Sequence, residues 1–140
     1  TTGQIVAGLR SGKVGPLRVG NKKNQFADTL AMMRTPIGCG ILGFASRGNT
    51  VIGAVATNAK LTKAQAAKVA QMAQDGIARA VRPAHTMLDG DTIFALATGE
   101  HKADVNIVGA FAAAAFAQAI VRAVKAAKPA AGLPCASDAP

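Results

Sequence analysis

With 140 residues the chain is long enough to bury one sizeable core and too short for two. Half of its residues are apolar, yet it has no Trp or Tyr and only five Phe, so the core must be built mainly from Ala, Val, Ile, Leu and Met. The formal charge of +9 invites a polyanion-binding reading, but the basic residues are spread and no aromatics stand among them to stack on bases, which argues against nucleic acid as a partner.

The excess charge is uneven. Residues 1–49 carry seven basic residues against one acid, in a Gly-rich stretch that reads as solvated loop, whereas residues 50–140 carry nine against six. Cys39 and Cys135 form no CxxC or zinc-like spacing, so free thiols in a reducing cytoplasm are expected, with a long-range disulfide as the alternative. Residues 1–23 contain no apolar signal segment, and the missing initiator Met suggests a fragment or a processed product.

Residues 1–24 are short apolar pieces broken by Gly8, Gly12, Gly15, Pro16 and Gly20, a pattern that predicts loop with one short strand over 4–9. Gly8 to Lys13 resembles a phosphate loop only superficially: it is one residue too short between its glycines, and Val14 stands where Ser or Thr is needed. A short helix is predicted over 26–34 and should end at Thr35-Pro36, because the residue before proline is pushed out of the α region. Two apolar, strand-like runs follow at 37–46 and 50–57, separated by Arg47-Gly48-Asn49. The second run does not alternate apolar with polar, so it is expected to be covered on both faces.

Thr62 with Gln65 three residues later is a capping box, and Val69, Met72, Ala73, Ile77, Ala80 and Val81 recur at helical spacing until Arg82-Pro83. After a loop over 84–91, residues 92–98 form an apolar strand that Gly99 should stop. Residues 104–127 read as a second long helix, whose uncharged stretch is marginal in length for a membrane span and is taken as a buried soluble helix. The tail, 128–140, contains three prolines and is expected to be mobile. Strand, helix, strand, helix after Thr50 makes an α/β unit with helices against a sheet, too small to cover both faces of its own strands.

Two segments carry candidate chemistry. Thr50 follows a turn and opens a buried strand, which suits a threonine that becomes an N-terminus: its α-amine is then a general base within reach of its own hydroxyl. A free α-amine titrates near neutrality, whereas a lysine would need strong burial to serve. Taken alone, a Thr after Asn is more often a turn residue. The second segment is His85-Thr86-Met87-Leu88-Asp89-Gly90-Asp91. Two carboxylates around a glycine are close enough to influence each other's protonation, as acid/base pairs require. The alternatives are a solvated turn whose acids cap backbone donors, or a metal site formed by His85, Asp89 and Asp91. His101, beside Glu100 and Lys102, reads as exposed.

Together, Gly48-Asn49-Thr50-Val51-Ile52-Gly53-Ala54-Val55-Ala56-Thr57, the helical Asp75-Gly76-Ile77-Ala78-Arg79-Ala80, and the run from Pro83 through Asp89-Gly90-Asp91 to Thr98 resemble the β subunit of the DmpA-type aminopeptidases, with the nylon-oligomer hydrolases similar in pattern. The resemblance covers most of residues 35–125. It implies a four-layer αββα sandwich like that of ornithine acetyltransferase, of which this chain supplies part. It also implies a precursor cut between Asn49 and Thr50, with residues 1–49 as the tail of the α-subunit region and 50–140 as the β subunit. Thr50 would attack the amide carbonyl of a peptide or amide oligomer, and Asp89 and Asp91 match the family's acidic residues. The family's α-subunit Lys and Asn find no match here and would lie before Thr1. No cofactor or metal is implied, no membrane, and a homo-oligomer is expected. An acyltransferase of the same fold and a basic polyanion-binding module are the competing functions.

Overall fold

A computed structural model describes residues 5–8, 12–14, 17–19, 26–36, 38, 40, 50–132 and 135–136. The chain divides into two compact units, one made of Thr1–Ser46 with Val121–Pro140 and the other of Arg47–Ile120.

In the first unit, the expected strand over 4–9 does not form at Ile5–Gly8. The strands are instead β1 (Gly12–Val14) and β2 (Leu17–Val19), paired antiparallel with Val14 opposite Leu17. Gly15 and Pro16, between them in the sequence, lie outside the described residues. Helix α1 (Thr29–Met33) is where expected, with Asp28 as its cap: the carboxylate accepts the Ala31 N–H at 3.1 Å.

The apolar run over 37–46 was expected to be a strand, but Pro36, Gly38 and Gly40 are helical. Thr35 explains the difference. Its hydroxyl donates to the Met32 carbonyl at 2.8 Å, closing α1, and accepts the Gly38 N–H at 3.1 Å, capping the next turn. Pro36 then sits at the first helical position, where its missing N–H costs nothing and its fixed φ fits. Periodicity cannot separate a short buried helix from a strand. The remainder of that run and Cys39 lie outside the described residues. In the C-terminal segment Cys135 is buried.

The second unit is the α/β unit read from the sequence. Strands β3 (Ile52–Ala59) and β4 (Thr92–His101) lie side by side and parallel, with Ile52 opposite Thr92 and Thr57 opposite Ala97. A parallel pair needs a crossover, which α2 (Lys63–Ala80) supplies. Its capping box is complete: Thr62 Oγ1 accepts the Gln65 N–H at 3.2 Å, and Gln65 Oε1 accepts the Thr62 N–H at 2.9 Å. Strand β4 does not stop at Gly99. Residues 98–100 bulge opposite Asn58, Gly99 takes a φ of +84°, and pairing resumes at Ala59–His101. Only glycine adopts that conformation freely, so it absorbs the bulge rather than ending the strand. Helix α3 (Val105–Ala126) is capped by Asp104, whose Oδ1 accepts the N–H groups of Asn106 at 2.8 Å and Ile107 at 3.3 Å.

The core is formed by Val69, Ala73 and Ile77 of α2, Ile93 of β4, and Ala112 and Phe116 of α3, with Val51, Val55 and Ala95 packed against it. Helix α3, read from the sequence as a buried helix, is buried along one face only: Gly109, Ala112, Ala113 and Phe116 are covered, while Ile107 and Phe111 are exposed. It is long and apolar enough to cross a membrane by length and composition. Within this chain β3 is covered on one face only, as expected of a unit too small to cover both faces of its own strands. Gly53, Val55, Thr57 and Ala59 turn inward, while Ile52 is 73% exposed and its same-face neighbours on β4, Phe94 and Leu96, are each 58% exposed.

Candidate active site

Because β3 and β4 are parallel and in register, the residues that precede them meet at one end of the sheet. Thr50 lies one residue before Val51 at the head of β3 and is exposed. The loop over 81–91 enters β4 beside it. Two hydrogen bonds, one between backbones and one to a side chain, fasten the pair: the Thr92 N–H donates to the Val51 carbonyl at 2.9 Å, and the Val51 N–H donates to Asp91 Oδ1 at 2.9 Å. The side chain of Asp91 is only 8% exposed. A hydrogen bond to a charged, largely desolvated acceptor is stronger than one between neutral groups, so this contact fixes the residue next to Thr50.

Gly90 faces the Thr50 side chain so closely that a Cβ there would lie 3.0 Å from Oγ1. Its own carbonyl accepts the Thr92 hydroxyl at 3.3 Å. Glycine thus leaves the Thr50 hydroxyl with room on the side from which the acidic loop approaches.

The two acids of the sequence motif are placed differently. Asp91 reaches across to β3. Asp89 closes its own turn: Oδ2 accepts the Thr86 N–H at 2.7 Å, the Asp89 N–H donates to the Thr86 carbonyl at 3.1 Å, and the Thr86 hydroxyl accepts the Leu88 N–H at 3.3 Å. That is the capping geometry weighed as the alternative from sequence. Met87 at the tip of this turn is fully exposed.

His85, weighed as a metal ligand, has its Nδ1 at 3.6 Å from Asp91 Oδ2. Its Nε2 lies 3.3 Å from the Gln74 backbone carbonyl. Among the described residues no group of three or more His, Cys, Asp or Glu side chains is arranged to hold a metal ion. The Gln74 carbonyl and the Val51 N–H carry no sequence signature, since backbone groups contribute to a site only through the fold; parallel pairing of the runs after Thr50 and Asp91 was the signal that would have brought Val51 forward. Asn49 lies outside the described residues.

An exposed hydroxyl at a strand head, an anchored carboxylate one residue away and a glycine that leaves the hydroxyl clear suit a nucleophile that begins a chain. The profile of Peptidase family S58 matches residues 1–135, and the chain belongs to that family, the one containing the DmpA-type aminopeptidases it resembles. It is similar to an uncharacterized aminopeptidase of Mycobacterium leprae, 46% identical over 123 residues, covering 73% of this chain and 34% of the relative. A second uncharacterized aminopeptidase, from Mycobacterium tuberculosis, is 40% identical over 124 residues, covering 78% of this chain and 35% of its own length. The 6-aminohexanoate-oligomer endohydrolase of Paenarthrobacter ureafaciens is 38% identical over 53 residues, 38% of this chain and 15% of that enzyme. The chain thus spans about a third of the mycobacterial relatives it matches.

Proposed function

We propose that the chain is the distal part of an autoprocessed amide-bond hydrolase in which Thr50, freed by cleavage of the Asn49–Thr50 bond, is the nucleophile. The observation that carries this reading is the seating of Thr50: exposed at the head of β3, facing Gly90, with the next amide held by Asp91 at 2.9 Å. In processing, the Thr50 hydroxyl oxygen attacks the Asn49 carbonyl carbon, the C–N bond breaks, and the nitrogen leaves as the Thr50 amine. Water then hydrolyses the ester, releasing the Asn49 carboxylate. In turnover the free amine takes the hydroxyl proton as Oγ1 adds to the substrate carbonyl, and passes it to the leaving amine; a water, deprotonated by the same amine, releases the acyl group. Asp91 keeps the strand head in place, and Asp89 shapes the turn that delivers Gly90 and Asp91.

The bare sheet face supports the four-layer sandwich as the architecture of the whole protein. Covering the exposed parts of Ile52, Phe94 and Leu96 would stabilise by about 3–6 kcal/mol, at roughly 1.5–3 kcal/mol for each such side chain fully buried. The relatives are about three times as long, and strands of the preceding α-region are the occupant this reading assigns. Peptides or amide oligomers are the substrate class, as the names of the relatives support. A homo-oligomer in the cytoplasm, working without nucleic acid, membrane or cofactor, belongs to the same reading.

Intact mass of the purified full-length protein tests it. Wild type should yield a chain beginning at Thr50; Thr50→Ala should remain uncut and inactive, and Thr50→Ser should still process. Normal cleavage of Thr50→Ala would falsify the mechanism.

A further inference from the structure

His85 is the one residue of the acidic loop's polar set that the scheme above leaves without a task. Its backbone holds φ at +56°, a left-handed conformation uncommon for a residue with a Cβ, though histidine adopts it more readily than most. The ring stands between two acceptors, the Gln74 carbonyl oxygen of α2 at 3.3 Å from Nε2 and the Asp91 Oδ2 at 3.6 Å from Nδ1. The Nε2 contact is within hydrogen-bond distance, and the Nδ1 contact is a longer electrostatic one. The other oxygen of the same carboxylate, Oδ1, accepts the Val51 N–H. Helix α2, the imidazole, the carboxylate and the amide that follows Thr50 therefore form one continuous series of contacts.

We propose that His85 is a positioning residue: braced on the Gln74 carbonyl, its imidazole orients the Asp91 carboxylate, which in turn fixes the Val51 amide and the Thr50 hydroxyl beside it. This rests on the reading of Thr50 as the nucleophile. A carboxylate held through one oxygen keeps freedom about its terminal torsion, and an imidazole seated 3.6 Å from the second oxygen restricts it, as orienting partners do for ligands and catalytic bases elsewhere. The ring's side chain is 40% exposed while that of Asp91 is 8% exposed. An ion pair with one partner in water adds little to stability. Its effect belongs in the alignment of the site.

The test is the rate of cleavage at Asn49–Thr50 in the full-length precursor, which needs no added substrate, with melting temperature as the control for folding. Asn and Asp both tolerate a left-handed backbone and have the same shape. His85→Asn presents an N–H to Asp91, and His85→Asp presents a second carboxylate. The expected rates are within about fivefold of wild type for His85→Asn and about 10–100-fold slower for His85→Asp, the range found when an orienting partner is lost. His85→Gly relieves the backbone and removes the ring; it should be as slow as His85→Asp, and should add less than about threefold to Asp91→Asn, because two residues acting in one series are not additive. Equal rates for His85→Asn and His85→Asp, wild-type cleavage by His85→Gly, or full multiplication of the His85→Gly and Asp91→Asn effects would overturn the proposal. Thr50→Ala, run alongside, separates the two ideas. If it still cleaves, the nucleophile reading falls and this one with it; if it is inert and the His85 variants behave alike, only the positioning role is lost.

Discussion

Asp91 allows a stability effect and a chemical effect to be pulled apart. Its Oδ1 accepts the Val51 N–H at 2.9 Å from a side chain that is 8% exposed. Replacing it with Asn retains an amide oxygen for that donor, so the loss is the difference between a charge-assisted and a neutral hydrogen bond, about 1 kcal/mol. Asp91→Ala leaves the Val51 N–H unpaired, and the cost is then the desolvation of a part-buried donor, about 1–3 kcal/mol. Denaturant melts should therefore rank wild type above Asn and Asn above Ala. If the charge serves Thr50, both variants should also lose turnover and processing by about 10²–10⁴-fold, the range for lost acid/base assistance, with no such ranking between them. Equal stability of the Asn and Ala variants would refute the hydrogen bond. Near wild-type processing and turnover in Asp91→Asn would refute the chemistry and leave a purely structural residue.

Gly90→Ala places a methyl group 3.0 Å from the Thr50 hydroxyl, and displacing that hydroxyl by a few tenths of an ångström should slow processing about tenfold with the melting temperature unchanged; an unaffected rate would place the hydroxyl's working position elsewhere. Gly76→Ala gains about 1 kcal/mol of helix propensity, but its Cβ would lie 2.6 Å from the Ala113 carbonyl oxygen, in helix backbone that cannot give way alone, so overpacking should leave a net loss of about 2 kcal/mol. Gly109→Ala meets instead the Met72 side chain, which can swing aside, and should be close to neutral; a Gly76 variant more stable than wild type would mean that α2 and α3 are not in contact there. Chelators should leave hydrolysis untouched if, as proposed, Thr50 supplies nucleophile and base; activity lost to EDTA and restored by zinc or manganese would favour a metal site at the 85–91 loop.

Much of the Arg47–Ile120 unit was legible because its signals are local. The Thr62–Gln65 box, the apolar periodicity of α2 and the apolar runs after Thr50 and Asp91 each act within a few residues. What escaped depends on context. The Thr35-Pro36 pair reads equally as a stop or as a cap followed by a first helical residue, and only the Gly38 N–H on the Thr35 hydroxyl decides between them. Gly99 reads as a terminator, whereas the pairing of Ala59 with His101 beyond it shows a bulge. The motif Asp89-Gly90-Asp91 announced a paired acid site, yet the two carboxylates face different partners, Thr86 and Val51, and that division is set by the register of β3 against β4. His85 was legible as a polar residue of interest but not as a neighbour of α2, because the Gln74 carbonyl has no signature in a sequence.

The parallel register has a consequence for how the molecule tolerates change. In most open α/β sheets, ligands gather where the strands end; the proposed nucleophile, two residues ahead of β3, would force the opposite arrangement, with the incoming loop of the neighbouring strand as the wall of the site. The connections at the far end, residues 60–62 and 102–104, are then insulated from the chemistry by the length of the sheet. Thr62 and Asp104 cap helices and Leu61 packs against the core, which leaves residues 102 and 103 as the freest positions of that rim. Lengthening them, hanging a dye or a tether on Lys102, or exchanging them between homologues would alter neither the approach to Thr50 nor the contacts of Asp91, so an engineer would work from that rim and leave the other alone.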